Sequence, residues 1–169
     1  MIRAETNRLR LRDFIVSDAP FVFELVNQPS WIENIGDRGV RTLDDARAYI
    51  TARLRPSYTD SGFGFWCVEL LETDVPIGLC GLVKRPQLDA PDIGYALRPA
   101  YWGKGYAREA AEATVQIARD TYELTRLVAI VTPTNTQSTR LLENLGMQLE
   151  STERMPGDDE DVSVYGMAL

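Results

Sequence analysis

Polar and apolar residues alternate at period two through Arg8-Leu9-Arg10-Leu11-Arg12, which predicts a strand with one dry face. The period then lengthens. A helix begins at Asp18, with Pro20 suited to its first turn and the pairs Phe21/Leu25 and Val22/Val26 spaced four apart, and Pro29 ends it. Residues 30–41 read as irregular and hold Trp31, Ile35, Gly36 and Gly39. Thr42-x-x-Asp45 has the form of a capping box with Asp in place of Glu. Leu43, Ala46, Ile50 and Leu54 then make one helical face, which Pro56 is expected to stop.

The near-continuous apolar runs 63–71 and 77–83 are short enough for strands covered on both faces. Asp74-Val75-Pro76 punctuates the gap between them, so an antiparallel hairpin is expected, with Gly78 and Gly81 permitting close backbone approach. A third strand spans 92–97, between Pro91 and Pro99. Ala107, Ala111, Val115, Ala118 and Tyr122 recur at helical spacing and predict a helix over 107–122 whose small stripe suits contact with a sheet. Leu127 to Val131 is an apolar, β-branched strand reached through that helical crossover, hence parallel to 92–97. A short helix over 136–145 presents Leu141, Leu142 and Leu145, with Gly146 as the left-handed residue past its end. Strands 147–155 and 162–167 flank the acidic turn Gly157-Asp158-Asp159-Glu160-Asp161. The order is β-α-α-β-β-β-α-β-α-β-β, and without repeat or linker the whole of 1–169 reads as one domain.

Composition narrows the chemistry. A chain of 169 residues, 44% of them hydrophobic, can bury the core of one domain. A net charge of -7, from 18 basic against 25 acidic residues, argues against charge-driven attachment to nucleic acid or anionic membrane and favours a cationic substrate. Histidine is absent, which excludes Ser-His-Asp and Cys-His mechanisms and a His-ligated zinc or haem iron. Acid-base work falls to carboxylates, Tyr, Ser, Lys, Cys or water. Cys67 and Cys80 are too few for a disulfide framework and too far apart for a thiolate cluster. They read as buried small apolar residues, and no metal is expected. Residues 1–12 lack the apolar core of a secretory signal and no later stretch approaches a membrane span, so a reducing cytoplasm is the expected address.

The stretch from Asp92 to Ala110 carries the most information and reads strand, loop, helix. Gly103 and Gly105 let consecutive backbone N–H groups turn toward one point at a helix N-terminus, where unpaired donors and the positive dipole end favour a phosphate. Lys104 and Arg108 add charge there. The same glycines also suit a plain tight turn. A Walker A loop is absent, because no Gly-Lys-Ser/Thr stands at the required spacing from a first glycine. A Rossmann fingerprint fails because Arg108 occupies the place of the third glycine.

Trp102-Gly103-Lys104-Gly105-Tyr106-Ala107 resembles the acyl-CoA signature of the GNAT superfamily of N-acetyltransferases, Gln/Arg-x-x-Gly-x-Gly/Ala, and departs from it at the first position. Trp at that position, within the string 101–107, is similar to the branch containing RimJ and RimL, the ribosomal-protein N-terminal acetyltransferases. Arg8–Arg12, Asp92-Ile93-Gly94-Tyr95 and Asn135-x-x-Ser138-x-x-Leu141-Leu142-Glu143-x-Leu145-Gly146-Met147 agree in the same order, so the likeness spans nearly the whole chain. It implies an α+β fold, an α/β/α sandwich around a mixed, mostly antiparallel sheet of about 6–7 strands splayed between 92–97 and 127–131, with about four helices. It also implies an enzyme, monomer or homodimer, that moves the acetyl group of acetyl-CoA to a primary amine by direct attack in a ternary complex. The amine is a protein N-terminus or a small molecule. A different class of function, an inactive acyl-CoA-binding sensor or interaction module, shares the same fold.

The resemblance further implies that Leu97, Arg98, Trp102, Gly103, Lys104, Gly105, Tyr106, Ala107, Arg108, Asn135 and Ser138 hold acetyl-CoA. The diphosphate would lie on the 103–108 amides, the pantetheine near Asn135, and the acetyl carbonyl near the Leu97 N–H as an oxyanion donor. Ser138 aligns with the residue thought to protonate the departing thiolate; its other reading is a helix-start serine bonded locally. Asp92 receives the amine proton, directly or through water, or is a solvated strand-end carboxylate. Trp31, Tyr58 and Tyr95 wall the amine entrance, formed by 30–41, 56–64 and 157–161, although Trp31 equally suits a core anchor. The acidic turn attracts a cationic peptide or polyamine, or is merely solvated. An α-amine, pKa about 7.7–8.0, needs only a weak base, whereas a lysine at about 10.4 needs more help.

Overall fold

In the computed structural model, which describes all 169 residues, the chain lays down β1 (Ile2–Glu5), β2 (Leu9–Arg12), α1 (Ala19–Val26), α2 (Pro29–Asn34), α3 (Leu43–Tyr49), α4 (Pro56–Asp60), β3 (Phe65–Leu70) and β4 (Pro76–Val83). There follow β5 (Asp92–Leu97), α5 (Tyr106–Asp120), β6 (Arg126–Val131), α6 (Thr136–Asn144), β7 (Gln148–Glu153) and β8 (Val162–Ala168). The strands form one 8-stranded sheet in the order β1-β2-β3-β4-β5-β6-β8-β7, in which only β5 and β6 are parallel, α5 being the crossover between them. No helix is long and apolar enough to cross a membrane.

The α+β class and the mostly antiparallel sheet match expectation, whereas the counts exceed it: eight strands rather than about 6–7, and six α-helices rather than about four. The added strand, β1, pairs with β2 at the sheet edge and buries no residue fully, so it has no dry face to announce it. The added helices come from prolines read as stops. Pro29 and Pro56 each stand at the start of a helix, where the missing N–H costs nothing because first-turn donors have no intrahelical partner. Between α3 and α4 the chain widens into one π turn, Ile50–Leu54, and the Arg55 N–H reaches back to the Ile50 carbonyl at 2.9 Å, carrying the helical path past Pro56.

Both faces of the sheet are covered. One packs Trp66, Ile77, Leu82, Ile93 and Leu127 against the small stripe Ala110, Ala111 and Ala118 of α5. The other packs Cys67 and Leu79 against Phe21, Leu25, Trp31, Ala46 and Ile50 of α1–α3 and the π turn. Cys67 and Cys80 are fully buried free thiols, and burial pushes the Cys80 thiol up to about 12. The close approach expected at the glycines is present: a Cβ on Gly78 would lie 2.3 Å from the Ala96 carbonyl oxygen, and one on Gly81 2.1 Å from that of Gly64.

The parallel pair positions everything that follows. β5 and β6 share only one register pair, Asp92 with Val128, where the Val128 N–H donates to the Pro91 carbonyl at 3.0 Å. β4 continues alongside β5 to Leu97, and β8 alongside β6 to Val131, so the sheet opens as a split between β5 and β6 beyond Asp92.

Candidate active site

The split leads into a cavity of about 1170 Å³ lined by β5, the 101–108 turn, the end of β6, the start of α6, α2 and the acidic turn. The backbone of β5 contributes first. The Arg98 N–H donates to the Ile77 carbonyl at 2.8 Å, and antiparallel alternation therefore turns the N–H and C=O of Tyr95 and Leu97 away from β4, toward the opening. The Leu97 carbonyl, having lost its neighbouring strand, accepts instead from the Trp102 indole Nε1 at 2.9 Å.

The glycine turn supplies a second set of donors. Gly103 (φ 71) and Gly105 (φ 81) are both left-handed, and Gly105 is the N-cap of α5 without any side chain to cap it. No protein acceptor takes the amides of residues 103–108; the first helical bond is from Glu109 to the Gly105 carbonyl, 3.1 Å. Unpaired amides at the start of a 15-residue helix, together with the positive end of its dipole, favour an anion there. Trp102, Gly103, Gly105, Tyr106, Ala107 and Arg108 line the cavity. Lys104 and Arg98 do not. The Lys104 ammonium lies over the Tyr101 ring at 5.7 Å, and the Arg98 guanidinium is held by Glu24 at 2.5 Å.

Across the split, Asn135 caps α6 by accepting from the Ser138 N–H at 3.2 Å, and the Thr139 hydroxyl donates to the Asn135 carbonyl at 3.1 Å. The Ser138 hydroxyl faces the Tyr95 phenol and eases its ionisation, and no hydrogen bond ties it to the first turn of its own helix. Tyr95 reaches over the opening and donates to the Ser138 carbonyl at 3.2 Å. Burial pushes the Tyr95 phenol up to about 12, keeping it a donor. Ile93 and Leu97 lie on the α5 face, and Tyr95 packs with them. Alternation places Asp92, Gly94 and Ala96 on the α1–α3 face, where Ala96 packs.

Asp92 sits at the vertex of the split, 3% exposed, which removes the solvated strand-end reading. Its Oδ2 accepts from Arg85 Nε at 2.7 Å, while Oδ1 has no partner. Burial pushes the carboxyl up from the ordinary 3.8 to about 6, against the opposing Arg85 charge. The Ile130 amide leans toward the carboxylate and eases its ionisation, without reaching hydrogen-bond geometry at Oδ1. Trp31 is both things expected of it: 5% exposed within the α1–α3 core, and a wall of the cavity, with its indole N–H unpartnered. Tyr58 is not brought to the cavity. Its hydroxyl accepts from the Phe14 N–H at 3.1 Å and donates to the Phe65 carbonyl at 2.5 Å, which ties α4 to β3. Sequence reasoning missed Arg85, which lies in an aperiodic connection, and left Arg8 as one member of a strand pattern.

A split parallel pair beside a glycine turn with unpaired amides is the backbone geometry that the resemblance led one to expect. The model of the acetyltransferase (GNAT) domain family matches residues 8–148, and the chain belongs to that family. It is an acetyltransferase enzyme. Among its relatives is the uncharacterized N-acetyltransferase YnaD of Bacillus subtilis, 30% identical over 145 residues, covering 86% of this chain and 82% of that one. The crystal structure of a GNAT-family acetyltransferase from Bacillus anthracis superposes with a TM-score of 0.81 at 28% identity, covering 99% of this chain and 98% of that one. A ribosomal L7/L12 α-N-protein acetyltransferase, RimL, in complex with coenzyme A shares the fold, with a TM-score of 0.83 at 19% identity over 100% of this chain and 98% of that one.

Proposed function

We propose that this protein is an acetyl-CoA-dependent N-acetyltransferase of the RimJ/RimL-like branch, acting in the cytoplasm on a primary amine, either a protein N-terminus or a small molecule. The observation that carries the reading is the Leu97 N–H, turned into a split where its strand partner is missing, beside the unpaired amides of 103–108. Acetyl-CoA supplies the activated thioester. The 103–108 amides bind its diphosphate, and the Leu97 N–H stabilises the negative charge that develops on the acetyl oxygen.

Two proton movements remain, and the chain has a group for each. Ser138, on the cavity wall beside the Tyr95 phenol, protonates the departing thiolate. Asp92 takes the proton of the attacking amine, directly or through water; a carboxyl at about 6 holds a proton more readily than an ordinary aspartate and is still mostly ionised at neutral pH. Such a base matches an α-amine better than a lysine. Trp31 and the acidic turn 158–161 border the acceptor end of the same cavity. A Ser138 hydroxyl at the cavity wall and the half-partnered Asp92 carboxylate favour turnover over an inactive acyl-CoA sensor. The test is an amine panel of short peptides, aminoglycosides and polyamines with acetyl-CoA, read as free thiol release. Turnover with peptide N-termini or one small-amine class is expected; CoA binding without turnover on any amine would instead establish the sensor.

A further inference from the structure

We propose that Arg8 is a positioning residue for the diphosphate turn: it clamps the Lys104–Gly105 peptide so that the Gly105 amide points into the acyl-CoA cleft. The proposal rests on the acetyl-CoA reading above. The need for a clamp follows from the turn itself. Two glycines in the left-handed region give the intervening peptide unusual freedom to rotate, and no side chain caps the helix that follows, so the direction of these amides is not fixed locally.

Arg8 supplies the missing constraint from 96 residues away. Its Nη1 donates to the Lys104 carbonyl at 2.9 Å. Its Nε donates to Glu109 at 2.7 Å, and the guanidinium stacks over the Tyr106 ring at 4.3 Å. Glu109 is held in turn by the Arg8 N–H at 3.0 Å and the Thr6 hydroxyl at 2.6 Å. The guanidinium is therefore fixed in plane by Glu109 and in tilt by Tyr106, with Nη1 aimed at one carbonyl. In a trans peptide the C=O and the following N–H point in opposite directions. Gly105 lies between two cavities, the acyl-CoA cleft and a groove of about 760 Å³ that Arg8 lines. A Lys104 carbonyl turned toward Arg8 in the groove leaves the Gly105 N–H turned toward the cleft.

The experiment is calorimetric titration of CoA into the wild type, Arg8→Gln, Arg8→Lys and Glu109→Gln, well below each melting temperature, with steady-state kinetics beside it. Both Arg8 variants should raise the CoA dissociation constant about tenfold, since neither a neutral amide nor a single ammonium reproduces the guanidinium's planar, simultaneous hold on Glu109 and the Lys104 carbonyl. The loss should fall on the KM for acetyl-CoA rather than on kcat. Glu109→Gln keeps the cation, weakens its orientation and should give about a threefold loss. Wild-type affinity in Arg8→Lys would mean that charge alone suffices, and a lower melting temperature with unchanged CoA affinity would make Arg8 a mere staple between β2 and α5; either result overturns the clamp. A wild-type protein that takes up no CoA overturns the acetyl-CoA reading itself, before any variant is compared.

Discussion

Replacing Asp92 by asparagine keeps the shape of a side chain that is 3% exposed and removes its charge. In the folded chain the carboxyl titrates at about 6, against an ordinary 3.8, because burial at the vertex of the split outweighs the Arg85 charge. Each tenfold change in proton affinity is worth about 1.4 kcal/mol, so holding the ionised carboxylate costs about 3 kcal/mol of stability. The sign is fixed by proton counting. Between about pH 4 and 6 the folded chain keeps a proton that the unfolded chain has released, so the contribution of Asp92 to stability falls as pH rises through that window and the cost is complete above it. The neutral amide of the variant carries no such cost, and Arg85, with a side chain 37% exposed, regains water when its partner is neutral. Relative to the wild type, Asp92→Asn should therefore gain about 3 kcal/mol as the pH is raised from about 4 to 8. Urea unfolding of both proteins across that range reads this directly, because the difference cancels every other titrating group. The same variant should lose most of its kcat/KM at neutral pH, the pattern of a residue whose charge is kept for chemistry at the expense of stability. A stability difference that stays flat with pH, or a variant that loses ground toward pH 8, would refute the reasoning.

Ser138→Ala should lower kcat by about 10–100-fold with little change in melting temperature, since the group its hydroxyl faces, the Tyr95 phenol, keeps its bond to the Ser138 carbonyl; unchanged thiol release across pH would remove it as proton donor. Gly81→Ala places a methyl 2.1 Å from the Gly64 carbonyl oxygen, so β3 and β4 must separate. It should cost about 3 kcal/mol, read as a lower denaturant midpoint. Tyr58→Phe leaves the Phe14 N–H and the Phe65 carbonyl without their partner and should cost about 1–3 kcal/mol, with acetyl transfer unchanged. A raised KM for the amine in that variant would return Tyr58 to the acceptor entrance.

Much of the fold was legible because burial imposes a period. The β2 alternation, the small stripe of α5 and the apolar runs of β3, β4 and β6 all bury a face and show it in sequence. β1 escaped because an edge strand with no fully buried residue leaves no such trace. The prolines misled for a related reason. Pro29 and Pro56 forbid a helix interior, and the same missing N–H suits them to a helix start, so the residue alone cannot say which side of it is helical.

The site divides in the same way, between what local pattern encodes and what only the fold assembles. The 103–108 amides were legible because glycine spacing specifies backbone geometry, and a backbone donor needs no particular side chain beside it. The directions of the Arg98, Lys104 and Tyr58 side chains were not legible, because each is set by a partner that spacing does not reveal: Glu24 for the first, the Tyr101 face for the second, and Phe14 with Phe65 for the third. Asp92 belongs to both kinds. Sequence places it at the start of a strand, but its significance comes from Val128 and Ile130 across the sheet. The single rung between β5 and β6 is made at Val128, and Ile130, two residues further along β6, has no register partner in β5, its amide merely easing the ionisation of the Asp92 carboxyl. The ladder ends at the residue whose carboxylate is buried there, and the strand edge beyond it is unpaired. Asp92, proposed to take the amine proton, thus also stands where the cleft begins, and pairing the Asp92→Asn measurements of stability and turnover tests whether its burial and its charge serve that role.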